Sequence, residues 1–199
     1  NLVNGITREN EKWVNRFDPF YLYASLKDPN DLACVAAGGC NCGSNIDEAL
    51  ELIENYGCKK LYLYPNLECT STLNKANLRS MVDFTGTYSI DGYYNLFDYE
   101  EVSGEWRKSV SIDELKWTIS HNNPITAGIN VDNEFTSLSP ENNKYSALKG
   151  MVGRHAITIV GYDDNKFGGS FRILNSYGLE WGDKGYFWMT YADFENQAD

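Results

Sequence analysis

The alternation of apolar and polar residues is most regular in "SNIDEALELIENYGC". Ile46, Ala49, Leu50, Ile53 and Tyr56 recur at the three- and four-residue intervals that align on one face of an α-helix. Ser44 can cap this helix, Asp47 and Glu48 stand in its first turn, and Gly57 stops it. Upstream, "NLVNGI" and "NEKWVNRF" read together as the end of a helix. "DPFYLYASLKD" reads as a second short helix or turn, with Pro19 just inside an Asp18 cap. A glycine- and cysteine-rich loop, "AAGGCNCGS", leads into the main helix. Residues 1–84 are thus predicted to form a mainly helical lobe.

The period changes near Thr85. "TYSIDGYYNLF" alternates like a strand around an Asp-Gly turn, and "SIDELKWTISHN" is a helix capped at Ser111 and carrying Leu115, Trp117 and Ile119. The remaining apolar runs, "PITAGINV", "HAITIVGY", "SFRILNSYG" and "GYFWMTY", are short and separated by Gly, Asn and Asp turns. That pattern predicts an antiparallel sheet or partly closed barrel over 85–199. The expected fold class is α+β, a helical lobe followed by a β-rich lobe.

Composition narrows the function. The chain has 199 residues, 42% hydrophobic, enough for one full-sized domain or two lobes sharing a cleft. With 28 acidic against 17 basic residues its net charge is −11, a poor match for nucleic acid or an anionic membrane. No apolar run approaches the roughly 18 residues of a membrane span, and "NLVNGITREN" has none of the features of a signal peptide. Five cysteines, Cys34, Cys40, Cys42, Cys58 and Cys69, exceed what a reduced cytosolic protein usually carries. A local disulfide framework, and with it an exported protein, accounts for them better than buried thiols. Zinc ranks below both, because no histidine lies near "CNC" to complete a ligand set. No metal or cofactor is expected.

The chain has two histidines, and one of them, His155, opens an apolar strand in "GRHAITIVGYDD". Such a residue is commonly a hydrogen-bonded part of a core. Twenty residues on, Asn175 ends the strand of "FRILNSYGLEWGDKGYFW". A hairpin through "DDNKFGG" brings the start of the first strand beside the end of the second, which makes His155 and Asn175 neighbours. An amide oxygen facing an imidazole fixes its tautomer and orientation without adding charge. A ring nitrogen to amide oxygen distance of about 2.7 to 3.2 Å is expected.

These two motifs, in this order and spacing, resemble the C-terminal half of the papain-like cysteine peptidases, particularly bacterial members. "GCNCGSNIDEALELIENYG" and the later "YPN" resemble the segment in which that family has GCNGG, a helix and a Tyr-Pro, so the likeness covers most of the chain. It implies a two-lobe papain-like fold over residues 1–199, with a cleft between the lobes and His155 and Asn175 in the catalytic site. Gly43, Ser44, Asn45 and Ala156 would line the pocket for a substrate side chain, and Tyr177 and Trp181 would shield the His/Asn bond and border the substrate.

The family's nucleophile lies in a CGSCWAF-like stretch at the head of the central helix. "NLVNGITREN" aligns with later turns of that helix, which places the nucleophilic cysteine, and the oxyanion Gln, upstream of this chain. "CNCGSN" is no substitute: in a CGSC reading the attacking position is Asn45, which is not a nucleophile. The resemblance further implies that Cys34 pairs with Cys69, Cys42 with Cys58, and Cys40 with a cysteine just before the nucleophile. Three departures stand out: Tyr177 where the family has Trp, Cys42 for the first paired glycine, and Arg154 setting a cation next to His155. The implied activity is peptide-bond hydrolysis of peptide or protein substrates by a Cys/His/Asn mechanism, completed by a separate N-terminal segment. The alternative is a non-catalytic papain-like module that binds peptide or serves a structural role.

Overall fold

The computed structural model describes residues 6–9, 12–17, 19–26, 43–59, 88–146 and 149–198. The chain divides into two compact units, Asn1–Tyr94 and Asn95–Asp199. No helix among the described residues is long and apolar enough to cross a membrane.

The start of the first unit is extended, not helical. The helix expected over "NLVNGI" and "NEKWVNRF" is not formed where the chain is described: β1 (Ile6–Glu9) and β2 (Lys12–Arg16) pair antiparallel, with a bulge between Thr7 and Arg8. Ile6, Thr7, Trp13 and Val14 are β-branched or aromatic, and only Asn10 and Glu11 separate the strands in sequence, a hairpin signature with Asn in the short link. The alignment of "NLVNGITREN" with the later turns of a central helix falls with it.

Helix α1 (Pro19–Leu26) begins on its proline, as expected, because the missing N–H is one the first turn leaves unpaired anyway. Helix α2 (Ile46–Tyr56) has the predicted extent and contacts α1. Its cap is Asn45, not Ser44: the Asn45 backbone is extended and its side-chain oxygen accepts from Asp47 N at 2.8 Å. Gly57 ends the helix at φ 75°, and its N–H returns to Ile53 O at 3.0 Å. The next residue, Cys58, is buried and exchanges two backbone hydrogen bonds with Tyr88. Cys34, Cys40, Cys42 and Cys69, and therefore the expected disulfide pairings, lie outside the described residues.

In the second unit the strand expected over "TYSIDGYYNLF" starts only at Phe97. Before it, still in the first unit, Tyr88 makes a single bridge to Cys58 and Asp91 bends the chain, and no strand pairing follows before β3 (Phe97–Val102). The turn that matters is Ser103-Gly104, where φ values of 57° and 84° let β3 fold back onto β4 (Glu105–Val110). Helix α3 (Ile112–Ser120) is capped by Ser111, which accepts from Glu114 N at 3.3 Å; Leu115 is buried and Trp117 largely exposed.

The main sheet contains β5 (Ile125–Val131), β6 (Lys144–Tyr145), β7 (Gly153–Asp163), β8 (Ser170–Leu174) and β9 (Tyr186–Thr190), in the order β5-β7-β8-β9-β6. Its pairs are antiparallel except β6–β9. All four apolar runs singled out by pattern are strands of this sheet. Helix α4 (Tyr191–Gln197) follows β9 and turns Phe194 into the core, where it meets Phe171. Ile129, Phe135, Ile159, Ile173, Phe187 and Met189 are fully buried there.

Candidate active site

Side chains alternate along a strand, so the third residue of β7, His155, shares a face with buried Ile157 and Ile159. Arg154 and Ala156, both exposed, lie on the opposite face, so the Arg154 side chain does not project with the imidazole. The β7–β8 register pairs Thr158 with Leu174, which sets the residue after β8 beside the start of β7. That residue is Asn175, and its Oδ1 lies 2.7 Å from His155 Nε2.

The hydrogen bonds assign the proton. Ser176 N–H donates to the same Asn175 atom at 2.7 Å, so that atom is the carbonyl oxygen and the amide cannot be flipped. An oxygen acceptor requires Nε2 to carry the hydrogen. The neutral imidazole therefore keeps its lone pair on Nδ1, the nitrogen turned away from Asn175. Asn175 is 5% exposed and is anchored through its own N–H to Gly185 O at 2.9 Å. Its Nδ2 is buried with no partner among the described residues.

Aromatic rings hold the imidazole. His155 lies 5.2 Å from the Tyr177 ring and 5.3 Å from Phe135, and Phe135 lies 5.1 Å from Trp181. Tyr177 covers the outside of the pair and is half exposed; Trp181 is buried and donates its Nε1–H to Phe135 O at 3.2 Å. Phe135 escaped the sequence reading. Its one signal was the Asp-Asn turn of "VDNEF", which says nothing of what its ring would touch.

A buried pair stands behind Phe135. Asp132 N donates to Tyr145 Oη at 3.0 Å, and Tyr145 Oη donates to Asp132 Oδ1 at 3.2 Å. Burial alone would raise the Asp132 carboxyl, but hydrogen bonds from Lys149 N–H, the Tyr145 hydroxyl and Glu134 N–H outweigh it and hold it below the usual carboxylate range. Burial pushes the Tyr145 phenol up to about 12; the bond from Asp132 N–H opposes this and the Asp132 charge adds to it. A phenol whose folded pKa lies above its unfolded value stabilises the fold fully below about pH 10 and loses that contribution as the pH rises toward 12. The loss is about 2–3 kcal/mol. Urea unfolding between about pH 9 and 12 should show the stability difference between wild type and Tyr145→Phe shrinking as pH rises; a difference that does not change with pH would contradict the assignment.

Of the other expected site residues, Gly43, Ser44 and Asn45 are exposed in the first unit, at the start of α2. A shallow depression lined by Gly161, Asp163, Arg172 and Trp188 lies at the far end of β7 and β8 from His155. Among the described residues no group of three His, Cys, Asp or Glu side chains is placed to hold a metal ion.

An α+β chain in which an amide oxygen at the end of one strand holds an imidazole at the start of its neighbour has the architecture of the papain-like proteins. Residues 24–198 match the profile of the papain family cysteine proteases, and the chain belongs to that family. Fruit bromelain from Ananas comosus is 30% identical over 168 residues, which is 83% of this chain and 42% of that protein. Cysteine proteinase 3 of Entamoeba histolytica is 35% identical over 78 residues, 38% of this chain and 25% of that protein. The chain thus spans less than half the length of these relatives. Xylellain, a cysteine protease from Xylella fastidiosa, has a similar solved structure, with a TM-score of 0.60 at 21% identity over 95% of this chain and 69% of that one. At that identity the likeness establishes the fold.

Proposed function

We propose that this chain is the His/Asn-bearing part of a cysteine peptidase that hydrolyses peptide bonds in peptide or protein substrates. The observation that supports it best is the 2.7 Å contact between His155 Nε2 and Asn175 Oδ1, which leaves Nδ1 as the basic atom. Nδ1 takes the proton of a cysteine thiol, and the thiolate attacks the scissile carbonyl. The imidazolium then gives that proton to the departing amine as the C–N bond breaks, leaving a thioester that water hydrolyses with His155 again as base. Asn175 orients the ring throughout. In this reading Gly43, Ser44 and Asn45 of the first unit and Ala156 of the second are each assigned to substrate binding, and Tyr177 and Trp181 keep water from the His/Asn bond. No cofactor enters this chemistry.

None of the five cysteines stands in a CGSCWAF-like context, so the proposal assigns the nucleophile to sequence preceding residue 1. In the same reading the protein is exported and its cysteines are bridged. The test compares residues 1–199 with the product of the complete native gene, using a fluorogenic peptide and an epoxide thiol probe. The longer protein should turn over and be labelled, and the 199-residue chain should do neither. Turnover by the short chain that is lost in His155→Ala would instead make one of its own cysteines the nucleophile. An inactive, unlabelled native protein would overturn the peptidase reading in favour of a non-catalytic module.

A further inference from the structure

We propose that Asp132 is a positioning residue for the catalytic pair, holding the imidazole of His155 and the amide of Asn175 in register through Phe135. This deepens the peptidase reading and rests on it. Asp132 follows β5 and is 5% exposed. Its Oδ1 accepts from Glu134 N at 3.0 Å and from Tyr145 Oη at 3.2 Å, its Oδ2 accepts from Lys149 N at 2.9 Å, and its backbone oxygen accepts from Phe135 N at 3.2 Å. The first and last of these bonds wind the chain into the single turn that begins at Phe135. The others fasten that turn to β6 and to the segment that enters β7 two residues before His155, where Val152 N also bonds Val131 O at 2.9 Å.

Phe135 passes this constraint to both members of the pair. Its ring packs on the imidazole at 5.3 Å. Its carbonyl accepts the Trp181 indole N–H, Trp181 O accepts from Gly185 N at 2.8 Å, and Gly185 O accepts from Asn175 N at 2.9 Å. One turn therefore sets the floor under His155 and the height of the loop that carries Asn175. Apolar packing alone could close such a turn, and a buried carboxylate costs several kcal/mol in desolvation. What the carboxylate adds is direction: three donors from three segments converge on two oxygens, a geometry that tolerates little drift. A base and its orienting partner need placement within about 0.5 Å. The Lys149–Glu134 ion pair joins the same segments at 2.6 Å, but both side chains are exposed and it contributes little.

The test reads the imidazole directly. With two histidines in the chain, long-range proton–nitrogen NMR resolves the tautomer of His155 with His121 as an internal reference. His155 in the wild type should be the Nε2–H form alone. In Asp132→Ala it should become a mixture of tautomers while His121 is unchanged. Asp132→Asn, which keeps an acceptor for Glu134 and Tyr145 but turns an NH2 toward Lys149 N–H, should fall between. In the thiol-bearing protein, Asp132→Ala should lower kcat about 10- to 100-fold with KM nearly unchanged. A folded Asp132→Ala with unaltered His155 signals overturns the proposal, and if that variant does not fold, unaltered signals in Asp132→Asn do so. The NMR result stands whether or not the native protein proves to be a peptidase, so failure of this inference is distinct from failure of that reading.

Discussion

Replacing His155 with alanine in the thiol-bearing protein is expected to lower kcat/KM on a peptide substrate by roughly 10⁴- to 10⁶-fold, the range found when one member of a nucleophile–base unit is removed. In the proposed mechanism the loss is large because His155 acts twice: Nδ1 would remove the thiol proton and then return it to the leaving amine. Without the base the thiol stays protonated near neutral pH, and alkylation by iodoacetamide should slow in parallel. Asn175→Ala keeps the imidazole and removes only the acceptor at 2.7 Å that fixes its tautomer. It should therefore lose less, about 10²-fold or more, and mainly in kcat. Equal turnover by wild type and His155→Ala would show that this imidazole is not the base.

The pair could be read from the sequence because two strands joined by a short connection pair antiparallel, even with the bulge between Ile159 and Gly161. "HAITIVGY" and "SFRILN" had to lie antiparallel, and that arrangement sets the first residue of one beside the last of the other. Helix α2 and four of the five strands of the main sheet were legible from period together with the cap, stop and turn residues that bound them. Local choices between similar residues were harder. Ser44 and Asn45 are adjacent and both good caps, and only backbone conformation decides between them. The segment from Ile6 to Arg16 contains a few apolar residues at irregular intervals, and pairing outweighed a weak helical pattern. Nothing local identifies Phe135 or Asp132, because what they touch is remote: the partner of the Phe135 carbonyl lies 46 residues away. Periodicity tells which residues face inward, but not which inward ring meets which.

That remoteness makes Phe135→Ala the substitution with the largest expected structural effect. The ring is fully buried and meets Tyr145, His155, Tyr177, Trp181 and Phe187 at centroid distances between 5.1 and 6.0 Å, most of them edge-on or tilted. Truncation removes the transfer free energy of the ring and leaves a cavity bounded by side chains from several strands. These cannot move inward together without breaking sheet pairing, so the cost should be about 3–5 kcal/mol by urea unfolding, or roughly 6–20 °C in Tm. Phe135→Leu restores most of the volume without the edge contacts and should recover about half of that loss. The same cavity lies beneath the imidazole, so Phe135→Ala should also release His155 into mixed tautomers even at temperatures where the fold is intact. A loss below about 1 kcal/mol would mean that the surrounding rings collapse into the space, and that His155 is held by Asn175 and Tyr177 without a floor beneath it.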